Sequence, residues 1–362
     1  MSPAALVVWG GFGLGVAFGA VANKTNFCTM GAVSDVVNMG DWNRMRMWLL
    51  AIAVAILGTS GLQLAGLVDL SKSIYTTPNF TWLSYIVGGL LFGIGMTLGS
   101  GCGSRTLVRI GTGNLKSVIV SMVLAITAYM TLKGVLGVFR AAVIDPVRAT
   151  LPASQDLPSL AASVFGVDKR VALALLALFA GTALLAFVFK EREFRSFDNV
   201  LGGVVVGLVV VGGWYLSGHI GYIAEDPSTL EEKFFATNSG RMESLSFVAP
   251  QAYLLELLLL WSDKSRVMTF GIAVALGMVA GSLVWALATR TFRLESFRDP
   301  EDLIHHVAGG ALMGFGGVVA LGCTIGQGVS GLSTLALGSV LAFVSIVIGA
   351  VLTMKWQYSR LR

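Results

Sequence analysis

All three cysteines of the chain sit in the same kind of setting. The segments are Thr25-Asn26-Phe27-Cys28-Thr29-Met30-Gly31, Gly99-Ser100-Gly101-Cys102-Gly103-Ser104 and Gly322-Cys323-Thr324-Ile325-Gly326-Gln327-Gly328. Each cysteine follows a long apolar, glycine-rich run, and a Ser or Thr comes within the next two residues. Thr29, Ser104 and Thr324 are suitable N-cap residues for a short helix beginning there. The free N–H groups and positive dipole end of such a helix would face the cysteine. Three such ends around one cavity would make a place for an anion without burying a full positive charge. Neutral thiols would donate weak S–H bonds to a soft sulfur anion, whereas a thiolate would repel it. The competing reading takes each cysteine as a small buried hydrophobe. Recurrence of all three at matching breaks favours function.

Residues around the thiols form a second tier of candidates: Thr29, Ser100, Gly101, Gly103, Ser104, Gly322, Thr324 and Gln327. The plain alternative for each polar one is a helix cap or a bond to backbone. A helix interior loses roughly 1 kcal/mol per glycine relative to alanine. The glycines flanking Cys102 and Cys323 therefore predict unwound backbone. In a membrane, unwound backbone is tolerated only where it is buried in protein or lines a wet cavity.

The elements that must position these groups follow from composition. Of 362 residues, 55% are apolar and 12% charged, against roughly a quarter charged in soluble domains. A span needs about 20 mostly apolar residues, and nine stretches qualify: 4–22, 45–68, 82–100, 115–139, 171–190, 200–216, 269–290, 303–322 and 335–354. Tyr253 to Trp261 is too short to span and contains Glu256, so a re-entrant or interfacial piece is expected. The fold class is thus an all-α polytopic membrane protein with about nine transmembrane helices.

Several chemistries find no support. No His/Cys spacing resembles a zinc or haem site, and the pair His305-His306 stands alone near a helix start. No cofactor or metal is expected. The segment Gly111 to Ser117 places Leu115 where a phosphate-binding loop needs glycine. No chain of carboxylates runs through the spans, and the charged loops are too short for an enzyme domain, so no catalytic residues are assigned. The net charge of +5 fits a positive-inside bias rather than a nucleic-acid footprint. With the N-terminus outside, the inner loops would hold Arg44, Arg46, Arg105, Arg109, Lys116, Lys190, Arg192, Arg195, Arg290, Arg293, Arg298, Lys355, Arg360 and Arg362. The expected orientation is N-out and C-in, with the acidic stretch 217–268 outside and without an assigned role.

An internal repeat is visible. Gly88, Gly89, Gly93, Gly95, Gly101 and Cys102 match Gly309, Gly310, Gly314, Gly316, Gly322 and Cys323 in one gap-free register. A weaker match links the Gly10-Gly11 and Gly202-Gly203 runs. Span counting gives the two copies opposite orientation, which predicts inverted halves at 1–168 and 169–362 within a single membrane domain. Such repeats place a site near the midplane, on broken helices.

In the order of its three cysteine segments and its two-half layout, the chain resembles the YeeE/YedE family of bacterial inner-membrane sulfur-compound transporters. The resemblance covers most of the chain. It implies uptake of thiosulfate into the cytoplasm through an hourglass of inverted halves, with short re-entrant helices whose positive ends meet at the waist. It also implies a relay of the ion by transient S–H···S contacts, without covalent chemistry. Carried over by position, the relay thiols are Cys28, Cys102 and Cys323. Members often work with a small cytoplasmic sulfurtransferase-type protein of the TusA kind, and some are linked to selenium or other sulfur compounds. Three alternatives stay open: a permease for another small sulfur or selenium species, a membrane thiol enzyme that forms a persulfide, and a scaffold bundle for another transporter.

Overall fold

A computed structural model describes residues 1–226, 230–297 and 299–360. Arg298 and Arg362, counted above among the inner charges, lie outside the described residues, as do residues 227–229 of the acidic stretch. The helices are α1 (Pro3–Lys24), α2 (Thr29–Met39), α3 (Asn43–Leu64), α4 (Trp82–Leu98), α5 (Gly103–Gly111), α6 (Leu115–Lys133) and α7 (Val135–Phe139). They continue as α8 (Leu157–Phe165), α9 (Lys169–Phe189), α10 (Phe197–Tyr215), α11 (Ala249–Leu259), α12 (Phe270–Ala288), α13 (Pro300–Val319) and α14 (Leu337–Arg360). Two pairs of two-residue strands, Asn79–Phe80 with Ala149–Thr150 and Tyr222–Ile223 with Lys233–Phe234, are the paired strands among the described residues.

Eight helical stretches among the described residues are long and apolar enough to cross a membrane. They match eight of the nine expected spans. The ninth, 303–322, forms α13, but its first turns carry Glu301, Asp302, His305 and His306, and it is not one of the eight. The charged first turn explains the difference: Asp302 is held by Lys116 at 2.5 Å. The chain beyond α13 reaches the opposite end of the bundle, where Leu337 N–H donates to the Gln155 carbonyl at 3.0 Å.

Each end of the bundle gathers its own ion pairs. One end holds Lys24–Asp198, Arg46–Glu191 and Lys116–Asp302. The other holds Lys72–Glu232, Lys133–Glu256 and Arg140–Asp145. The short apolar run around Tyr253 belongs to α11, whose Glu256 is held by Lys133 at 2.7 Å and Arg266 at 3.2 Å. These partners let a buried carboxylate sit at the rim of the apolar layer.

Glycines let the central helices mesh backbone to backbone. A methyl group on Gly15 would come within 2.2 Å of the Val274 carbonyl oxygen, and one on Gly19 within 2.0 Å of the Met278 oxygen. Hence α1 and α12 run side by side in the same direction. Between α4 and α13 the contact is reciprocal. A methyl on Gly88 would come within 2.7 Å of the Gly316 oxygen, and one on Gly309 within 2.7 Å of the Gly95 oxygen. Gly88 and Gly309 are register mates in the repeat, as are Gly95 and Gly316. Lipid-facing surface is left on outer helices such as α9, where Leu175, Leu178 and Phe179 are exposed.

Candidate functional site

The three cysteines are all buried and all free. Each caps a short helix. Cys28 is the N-cap of α2, Cys102 the N-cap of α5, and Cys323 precedes a helical segment that starts at Thr324 and includes the π-helical turn Gly326–Gly331. The caps expected at Thr29, Ser104 and Thr324 therefore fall one or two residues earlier, on the cysteines themselves. A sulfur with an extended backbone can accept the N–H of the third helical residue much as a serine oxygen does. Gly31 N–H donates to the Cys28 sulfur at 3.4 Å, and Gly326 N–H to the Cys323 sulfur at 3.4 Å. Phe247 and Ile325 N–H groups also point at Cys323. At Cys102 the sulfur instead meets the Ser104 hydroxyl at 3.2 Å.

The break before each cysteine is built one way. Asn26, Ser100 and Leu321 take left-handed backbone with φ of 53°, 56° and 57°, each two residues ahead of its cysteine. The following N–H returns to the preceding helix: Phe27 to the Ala22 oxygen, Gly101 to the Met96 oxygen and Gly322 to the Gly317 oxygen. This is the usual left-handed helix closure, made here without glycine at the left-handed position. The glycines expected to unwind the chain have another role, close approach. A methyl on Gly103 would come within 3.0 Å of the Phe247 carbonyl oxygen, and one on Gly101 within 3.2 Å of the Arg105 side chain. Gly322 packs the same way against Gln327.

The second-tier residues lie around the thiols, and three carry unused polar atoms. The hydroxyls of Thr29 and Thr324 and the side-chain oxygen of Gln327 are buried without a hydrogen-bond partner. An orphaned buried polar group costs about 1–3 kcal/mol, and three such groups sit next to two of the thiols. Gln327 is oriented by its amide, which donates to the Ala320 carbonyl. Ser100 offers its carbonyl to Arg109 Nη1 at 2.8 Å.

Cys102 lies within electrostatic range of both Cys28 and Cys323. Phe247 bridges two of the breaks, since its carbonyl faces Gly103 while its N–H faces Cys323. Its ring meets Phe18 edge-on at 5.6 Å, Phe18 meets Phe27 at 6.2 Å, and Phe27 stacks on Trp48 at 5.6 Å. The four rings thus form one continuous apolar chain that includes Phe27, next to Cys28 in sequence.

Sequence reasoning missed Phe247 and the extended segment leading to it, Ser244 to Val248. The segment is short and mixed, and its one signal is the proline at Pro250, in the first turn of α11. Ser244 and Ser330 hydroxyls pin it by donating to the Val210 and Leu245 carbonyls, both at 2.8 Å. A cavity of about 200 Å³ runs from the Glu256 end to Gly322, lined by Tyr75, Arg140, Glu243, Ser246 and Tyr253 among others. Burial pushes the Glu243 carboxyl up to about 7, against hydrogen bonds from the Ser239 hydroxyl and from the Asn238 and Ser239 backbone. Arg105 and Arg109, assigned above to a loop, instead lie on α5 beside Cys28.

The family model for sulphur transport matches residues 24–352. Over 94% of its length the chain is 25% identical to the thiosulfate transporter TsuA of Escherichia coli, covering 92% of that protein. It is 27% identical over 97% of its length to the thiosulfate transporter TsuA of Spirochaeta thermophila, covering 98% of it.

Proposed function

The chain belongs to the sulphur transport family, and from that premise we propose that it carries thiosulfate across the bacterial inner membrane as a permease, not an enzyme. The anion would pass from Cys323 to Cys102 to Cys28. The observation that carries this reading is the threefold recurrence of a free, buried thiol at the cap of a short helix, each behind the same left-handed turn. Backbone N–H groups at these helix starts offset negative charge, and the thiols offer soft S–H donors. The relatives named as thiosulfate transporters support the choice of substrate.

The orientation follows the same logic. The end holding Lys24, Arg46, Arg105 and Lys116 would face the cytoplasm and the Glu243 cavity the outside. With α13 counted as a ninth crossing, the N-terminus lies out and the C-terminus in. Two inverted halves, 1–168 and 169–362, are supported by the reciprocal glycine contact between α4 and α13. A TusA-type protein is the cytoplasmic partner implied by the family resemblance.

Labelled thiosulfate uptake in cells lacking their own route tests the reading. Wild type should accumulate label, and Cys102→Ala at matched membrane expression should lose at least about tenfold, the equivalent of 1.4 kcal/mol. Uptake that survives would demote the thiols to packing. No uptake by wild type would point to another sulfur or selenium compound. A gain of one sulfur on any of the thiols after turnover would favour the persulfide enzyme.

A further inference from the structure

Two guanidinium groups stand beside Cys28, and neither makes a direct salt bridge to a carboxylate among the described residues. Arg105 and Arg109 are one turn apart on α5, both half-buried. Both lie within electrostatic range of Cys28. Arg105 Nη2 donates to Asn26 Oδ1 at 3.3 Å, and Arg109 Nη1 to the Ser100 carbonyl at 2.8 Å. The left-handed turns before Cys28 and Cys102 therefore hold the two side chains in place. Arg105 Nη1 is buried and has no partner. The acids of this region make their direct contacts with other side chains, and Glu295 acts on Arg109 only at longer range. Asp35 accepts from Arg44, and Glu295, in electrostatic range of Arg109, accepts from Asn114 at 2.7 Å.

A partly buried cation without a direct carboxylate partner leaves donors to satisfy, and the planar guanidinium fork matches the spacing of oxygens on a tetrahedral oxyanion. We propose that Arg105 and Arg109 form a holding station for a small divalent oxyanion. It would take the oxygens of the anion as its sulfur leaves Cys28. This inference rests on the transport reading above and adds a named site to it. Helix α5 thus acts twice: its N-terminus serves Cys102, and its side serves Cys28.

The test uses the purified full chain in nanodiscs, where both faces are open. Modification of Cys28 by an anionic methanethiosulfonate and by a neutral one is followed by peptide mass, with sulfate as the competing ion. In wild type the anionic reagent should outpace the neutral one, and sulfate should slow it by about tenfold, as expected for charged hydrogen bonds. In Arg105→Gln with Arg109→Gln both effects should vanish at Cys28 and persist unchanged at Cys323. The paired lysine variant should keep the preference for the anionic reagent and lose most of the protection. Full protection retained in the glutamine pair would overturn the proposal, as would equal loss at Cys323 or no reaction at Cys28 in wild type. Because sulfate presents the same oxygens, this assay stands even if labelled thiosulfate is not taken up.

Discussion

Cys28 and Cys323 share one local geometry: the sulfur of each accepts the backbone N–H three residues ahead at 3.4 Å. With lone pairs engaged this way, each S–H proton is free to be donated. Cys102 differs, since its sulfur pairs with the Ser104 hydroxyl and either can donate. The middle thiol thus has an adjustable partner where the flanking two have fixed ones.

The orphaned hydroxyls give the first prediction. Thr29→Val and Thr324→Val keep side-chain shape and remove a buried group with no partner. Thermal unfolding in detergent should rise or stay level, by up to about 1 kcal/mol in stability, while thiosulfate uptake falls. A drop in both would mean that the hydroxyls serve the fold.

Leu321 gives the second. A leucine in left-handed backbone costs about 1–2 kcal/mol, and its side chain is 41% exposed. Leu321→Gly should therefore leave stability unchanged or raise it. Leu321→Val, stiffer at its branched carbon, should lower the unfolding temperature.

The reciprocal glycine contact gives the third. Gly88→Ala and Gly309→Ala place a methyl against backbone in equivalent positions. Both should destabilise by about 1–3 kcal/mol and to a similar degree, as read by detergent-resistant monodispersity on heating. A large effect from one alone would break the proposed equivalence of the halves.

Glu243 gives the fourth. Its carboxyl sits at the cavity and is pushed up to about 7 by burial. Below that value it is mostly neutral, and above it is charged and repels an incoming anion. Uptake should therefore fall as external pH rises through about 7. Glu243→Gln should give a flat profile at the level wild type reaches in acid.

Much of this architecture is legible in the sequence because apolar length and interrupted glycine runs are local signals. Cys28, Cys102 and Cys323 stand out since each ends such a run. The left-handed positions were not legible, because Asn26, Ser100 and Leu321 carry no shared residue type, and the adjacent glycines drew the reading instead. Phe247 reaches Cys323 only through tertiary folding of a segment with no periodicity of its own. Arg105 and Arg109 read as loop charges because a nine-residue helix is too short for hydropathy to separate from its flanks. The polar start of α13 shows the converse: Lys116 compensates Asp302, and a hydropathy window cannot register a partner so distant in sequence.

Where α1 meets α12, and α4 meets α13, carbonyl oxygens fill the space that a side chain would take. Side chains can hop between rotamers to let neighbours slide, but meshed backbones have no such slack. The four helices therefore form a stiff chassis, which leaves the short capped helices and their left-handed joints as the elements free to yield. On the transport reading proposed above, a cargo crossing such a frame would be handed along by small local yielding, at a rate governed by joint stiffness.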